Sequence, residues 1–146
     1  MTYRADNQLF DAYFTAPAMR EIFSDRGRLQ GMLDFEAALA RAEAAAGLVP
    51  HSAVAAIEAA CKAERYDTRA LADAIASAGN SAIPLVKALG KVIASGVPEA
   101  ERYVHLGATS QDAMDTGLVL QLRDALDLIE ADLGQLAETL SRQALQ

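Results

Sequence analysis

Tryptophan is absent, cysteine occurs once, and the aromatic side chains amount to four tyrosines and four phenylalanines among 146 residues. A lone Cys61 excludes an intrachain disulfide. With only His51 and His105 beside it, no zinc-type cluster can be assembled, so no metal or other cofactor is expected. Cations are also in short supply: 13 Lys and Arg stand against 20 Asp and Glu, a formal charge of −7. Counterion-driven binding needs clustered Lys and Arg, which argues against a nucleic-acid or anionic-membrane partner. A charge-free stretch, Ala74 to Val86, is broken by Gly79, Asn80, Ser81 and Pro84 and does not suit a membrane span. The opening residues MTYRADNQLF carry no apolar core of a secretory signal. A reducing, cytoplasmic location is the expectation.

What the sequence has instead is alanine and leucine at helical spacing. Hydrophobic residues make up 52%, and small apolar side chains with few rings favour closely packed helices over a strand-built sandwich. Pro17 opens a short helix, PAMREIFS. Asp25 is placed as the cap of the next, which runs to Gly47 with a stripe of Leu29, Met32, Leu33, Glu36, Leu39, Ala40 and Glu43. Further helices are expected from about Ser52 to Cys61, from Asp67 or Thr68 to Gly79, and over IPLVKALGKVIAS, with Pro84 in its first turn. Residues from Gly96 to Ala108 read as a loop. From Thr109 onward proline is absent, and Leu118, Leu122, Leu126, Ile129, Leu133, Leu136 and Leu140 form a heptad-like seam. The fold class expected is all-α: an N-terminal helical domain over residues 1–108, then, over 109–146, the first long helix of a central bundle. A long helix with no stop signal before Gln146 and an unpartnered leucine seam suggests a truncated chain.

Several enzyme signatures are missing. Gly90-Lys91 lacks the upstream glycine and following hydroxyl of a phosphate loop, and neither G-x-G-x-x-G nor G-x-S-x-G occurs. The informative stretch is HLGATSQDAMDT, His105 to Thr116. Thr109 followed three residues later by Asp112 is a capping-box pattern that opens the long helix. The Ser110 hydroxyl and the first free backbone N–H groups then stand at the positive end of a helix dipole, where a carboxylate can be held without a basic protein. The competing reading is that Thr-x-x-Asp is a cap and nothing more, with His105 structural. Glu36 and Glu43 lie on an apolar stripe and could in form act as paired acids. Pairing with arginine is the commoner arrangement for such residues, and no catalysis is assigned to them. Cys61 reads as a small core residue.

GATSQDAMDT resembles the first of three signature segments of the fumarase/aspartase superfamily, and the preceding His105 fits its adenylosuccinate lyase and carboxymuconate cycloisomerase branches. FTAPAMREIFSDRGRLQGMLDFEAALARAEAAAGLVP is similar to the family's opening helices. The resemblance implies that Thr109 and Ser110 bind a substrate carboxylate, with His105, Gln111 and Asp112 supporting the loop or touching substrate. Tyr13-Phe14 stands where adenylosuccinate lyases carry an Arg-Tyr pair, and AGNSAIPLV (Ala78 to Val86) lacks their histidine. The wording GNSAIPLV is similar to the cycloisomerases, which makes Asn80 and Ser81 candidate contacts for a small polycarboxylate. Their alternative is a polar turn between helices.

The resemblance further implies lactonisation of 3-carboxy-cis,cis-muconate in aromatic (protocatechuate, β-ketoadipate) catabolism by a homotetramer whose sites draw on three subunits. The family's catalytic histidine segment and its serine-bearing G-S-S-x-M-P loop do not occur in this sequence. No catalytic acid or base is therefore assigned here, and the chain alone is expected to self-associate and to lack turnover. Kept beside this are an adenylosuccinate-lyase-like fragment and a stand-alone helical association module.

Overall fold

The computed structural model describes residues 13–145, and all regular structure among them is helical. The helices are α1 (Pro17–Ile22), α2 (Asp25–Ala45), α3 (His51–Ala60), α4 (Thr68–Ala78), α5 (Ala82–Ala94) and α6 (Ser110–Ala144). Two short 3-10 helices, Ala63–Arg65 and Pro98–Tyr103, join them. The signal-peptide reading concerned residues 1–10, outside the described residues. No described helix is long and apolar enough to cross a membrane.

The helix boundaries follow from local chemistry, with two corrections. Ser24, not Asp25, caps α2: its hydroxyl accepts from the Gly27 N–H at 3.0 Å, and Asp25 occupies the first turn. Both residues are good caps, and one step of register decides between them. Residues 96–108 are not all loop. Pro98–Tyr103 winds as a 3-10 helix because Ala100, fully buried, anchors it against α5 while its charged neighbours stay outside. A single buried residue in six leaves no period to read. Elsewhere the expectations hold. Asp67 caps α4 by accepting from Arg69 and Ala70, and Gly79 ends it in the left-handed region at φ 64°.

At the centre is α2, packed against α1, α3, the first 3-10 helix and α6. Its Leu29, Met32, Leu33, Ala37 and Ala40 form one core with Ile57 of α3, Leu85, Leu89 and Ile93 of α5, and Ala100. Cys61 lies inside this core, where burial pushes its thiol up to about 12, so it behaves as a small apolar residue.

The first half of α6 seals the fold with small residues. Ala113, Gly117, Gln121 and Ala125 recur every fourth position and are buried. The Gln121 amide donates to the Ile22 carbonyl at 2.6 Å, closing the end of α1. The leucine seam runs along a different face: all seven of its residues are at least 42% exposed, and none belongs to the core formed among the described residues. The heptad pattern therefore identifies the uncovered face of α6. The face that holds it to the fold was not apparent from large apolar residues.

Candidate functional site

The segment between the second 3-10 helix and α6 is built around a sharp reversal. His105 sits at φ 56° and Gly107 at φ 70°, so two left-handed residues turn the chain toward Thr109. Glycine adopts that conformation freely; for histidine it costs of the order of 1 kcal/mol and must be held by its surroundings. The restraint comes from α2. His105 Nδ1 lies 2.6 Å from Glu36 Oε1, a bond between residues 69 apart in sequence. Only 1% of the Glu36 side chain and 15% of the His105 side chain are exposed. The Phe35 ring meets the imidazole edge-on at 6.4 Å.

Arginine is the commoner partner for an acid on an apolar stripe, but Glu36 pairs with His105 instead. Its position on the apolar stripe was legible; its partner was not, because nothing in a periodicity reports a contact 69 residues away. Burial pushes the Glu36 carboxyl above its ordinary 4.5, opposed by the bond to His105. Glu43, two turns further along α2, is likewise buried and raised by desolvation, against the pull of His105. One oxygen of each acid, Oε2, is buried without a partner among the described residues.

Downstream, the capping pattern takes physical form. Asp112 Oδ2 accepts from the Thr109 N–H at 2.7 Å and from the Thr109 hydroxyl at 3.1 Å. Those bonds hold the Asp112 carboxyl below its ordinary 3.8. The Thr109 hydroxyl proton is thus committed to the cap, which leaves its oxygen as an acceptor. Gln111, exposed, donates its amide along the helix to Asp115 at 2.5 Å. Ser110 differs from both: it is half-buried, and its hydroxyl makes no hydrogen bond among the described residues. Together with the leading N–H groups of a 35-residue helix, that hydroxyl is a set of donors suited to an anionic oxygen.

The Asn80–Ser81 turn begins α5. The Asn80 side chain accepts from the Ile83 N–H at 3.0 Å, so it is a helix cap. Ser81 rests on the sulfur of Met32 at 3.9 Å, one residue from the α2–α6 crossing at Gly31 and Gly117. Tyr13 and Phe14 pack edge to face with centroids 4.9 Å apart and are exposed. A groove of about 650 Å³ between α4 and α5, lined by Tyr66, Leu71, Ile83, Lys87 and Lys91 among others, includes none of the residues from His105 to Asp112.

Residues 12–146 match a family described as lyase. The chain is 94% identical over 140 residues to the 3-carboxy-cis,cis-muconate cycloisomerase of Pseudomonas putida, an alignment covering 96% of this chain and 33% of that protein. It is 75% identical over 138 residues to the 3-carboxy-cis,cis-muconate cycloisomerase of Pseudomonas aeruginosa, covering 94% and 30%. The crystal structure of the 3-carboxy-cis,cis-muconate lactonizing enzyme from Pseudomonas putida superposes with a TM-score of 0.92 at 94% identity, over 95% of this chain and 32% of that one. The chain spans about a third of the length of the curated relatives it matches.

Proposed function

Because the chain belongs to the lyase family, we propose that it supplies one wall of the active site of a cycloisomerase that closes a lactone ring on 3-carboxy-cis,cis-muconate. The observation that carries this is the free Ser110 hydroxyl at the start of α6, behind a turn that Glu36 and His105 hold in place.

In the reaction, an oxygen of one carboxylate bonds to a neighbouring alkene carbon. The displaced π electrons pass to the adjacent carbon and its carboxylate, and that carbon then takes a proton. Charge gathers on the second carboxylate as the C–O bond forms, so fixed donors there stabilise the transition state more than the substrate. Ser110 and the leading N–H groups of α6 take that role. Thr109 and Asp112 shape the helix start, and His105 touches the ligand from the side. Asn80 and Ser81 are assigned to the edge of the site, where Asn80 acts first as a cap. Gln111 is turned along α6 toward Asp115 and is left a minor contact.

An unassisted serine hydroxyl is too weakly acidic to exchange the proton itself. The acid and base therefore come from outside these 146 residues, and the exposed leucine seam of α6 is the surface through which copies assemble. A nucleotide substrate is disfavoured: Tyr13 and Phe14 offer no cation for a phosphate, and the segment Ala78 to Val86 lacks the histidine of that branch. The seam on its own also suits a helical association module without chemistry. One experiment separates the two. These 146 residues replace the corresponding third of the Pseudomonas putida enzyme, and lactone formation is followed spectrophotometrically. Turnover close to that of the parent enzyme supports the reading; an assembled but inactive hybrid sinks it.

A further inference from the structure

The groove of about 650 Å³ between α4 and α5 has no part in the chemistry above. α4 is an 11-residue helix with a single buried residue, Leu71. Its Ala70, Ala74 and Ala78 line the groove and are exposed, so small side chains keep the trough open. Tyr66 presents its ring there, because its hydroxyl is committed to the Ala60 carbonyl at 2.8 Å. From α5 come Ile83, Pro84 and Val92, which complete an apolar floor.

The charge on this groove is opposite to that of the chain. The sequence totals −7 and holds three lysines, and two of them, Lys87 and Lys91, stand on the groove. They lie four residues apart on α5, one helical turn, so both ammonium groups serve the same edge. Neither makes an ion pair among the described residues. Arg65 lines the groove as a third cation. The one acid beside them, Asp67, accepts from the Arg69 and Ala70 N–H groups as the cap of α4.

We propose that the α4–α5 groove binds an aliphatic monocarboxylate, with its chain along the α4 alanines and its head at Lys87 and Lys91. Size and polarity select this occupant. A volume of about 650 Å³ falls among small-molecule sites, roughly 300–1,000 Å³. A protein helix, about 10 Å across, would stand largely above the trough. A short polycarboxylate would lose hydration over an apolar floor and gain little from it. A single carboxylate keeps its charge at the rim, beside lysines whose stems follow the wall and whose heads stay in water.

Photolabelling tests the assignment in the Pseudomonas putida hybrid. The probe is a ten-carbon carboxylate with a terminal diazirine, used below its micellar concentration, and labelled peptides are identified by mass spectrometry. Label is expected within residues 65–92, protected by decanoate and less well by octanoate, since each methylene removed from water tightens binding roughly two- to fourfold. Decanol and tricarballylate, which lack the head or the chain, should protect poorly. Lys87→Gln with Lys91→Gln should cut labelling about two- to tenfold, the order expected for two exposed ion pairs. Lys62→Gln makes the same kind of charge change at an exposed position off the groove and should leave labelling unaltered. Equal protection by decanol overturns the proposal without recourse to any variant. So does label confined to the α6 leucines, which would show an amphiphile adhering to the seam. Label in the groove of the 146-residue chain but not of the hybrid also overturns it, because the groove would then be covered by the rest of the protein.

Discussion

Gly31 on α2 and Gly117 on α6 meet backbone to backbone: a Cβ on Gly31 would stand 2.7 Å from the Gly117 carbonyl oxygen, and one on Gly117 would stand 2.9 Å from the Met32 nitrogen. Neither obstacle is the tip of a flexible side chain, so neither can move aside cheaply. This crossing holds the start of α6, and therefore Ser110, against α2.

Gly117→Ala is expected to destabilise the chain. Overpacking costs about 1–3 kcal/mol, against at most about 1 kcal/mol gained from better helix propensity. Gly134→Ala is the internal control, since no atom lies within 4 Å of its added Cβ, and it gains the propensity alone. Thermal denaturation should place the Gly117 variant below the parent by a few degrees and the Gly134 variant slightly above. Equal melting temperatures for the two variants would show that the crossing is slack.

The contrast between these glycines marks what could be read beforehand. The helices, their order and most of their ends were legible, because capping residues and 3.6-residue periodicity are local signals. Both glycines of α6 looked alike in sequence, since a close approach depends on a helix 86 residues earlier. The leucine seam was visible for the same reason that the buried stripe was not. Leucines announce a face, whereas Ala113, Gly117, Gln121 and Ala125 are small or polar and announce nothing. In the site, the Thr109–Asp112 pattern was legible as a cap and proved to be one. Glu36 was visible as a misplaced acid, yet its histidine partner became apparent only once α2 and the turn were folded together.

The cap makes a signed prediction in pH. Asp112 has its folded-state pKa held below the ordinary value by the Thr109 N–H and hydroxyl. A depressed carboxylate contributes stability that is present above its unfolded pKa and lost as the pH falls through its folded one. Asp112→Asn should therefore lower stability at neutral pH and make little difference in strong acid. Urea denaturation of both proteins across the acid range checks this. Parallel curves with a constant gap would mean that the carboxylate charge contributes nothing at the helix start.

The seam predicts assembly. Leu126 and Leu133 are 63% and 59% exposed, and burying a leucine releases roughly 1.5–3 kcal/mol. Sedimentation equilibrium of the 146-residue chain is expected to show concentration-dependent association, and Leu126→Glu with Leu133→Glu should yield a monomer of unchanged helix content. A chain that stays monomeric at high concentration would remove the seam as a surface for its own copies.

Ser110→Ala tests the chemistry most directly, because this hydroxyl makes no hydrogen bond within the described fold and its loss leaves no buried group unpaired. Stability should therefore be nearly unchanged. Turnover is a different matter. If the hydroxyl donates to the carboxylate that gathers charge as the lactone closes, removing it weakens the transition state more than the bound substrate, and kcat falls further than KM rises. Loss of one such donor lowers rates by roughly tens to hundreds of fold. The comparison is made in the Pseudomonas putida hybrid, where the rest of the site is present. A Ser110→Ala hybrid with the parent's kcat and KM would leave the first turn of α6 a well-made helix start and nothing more.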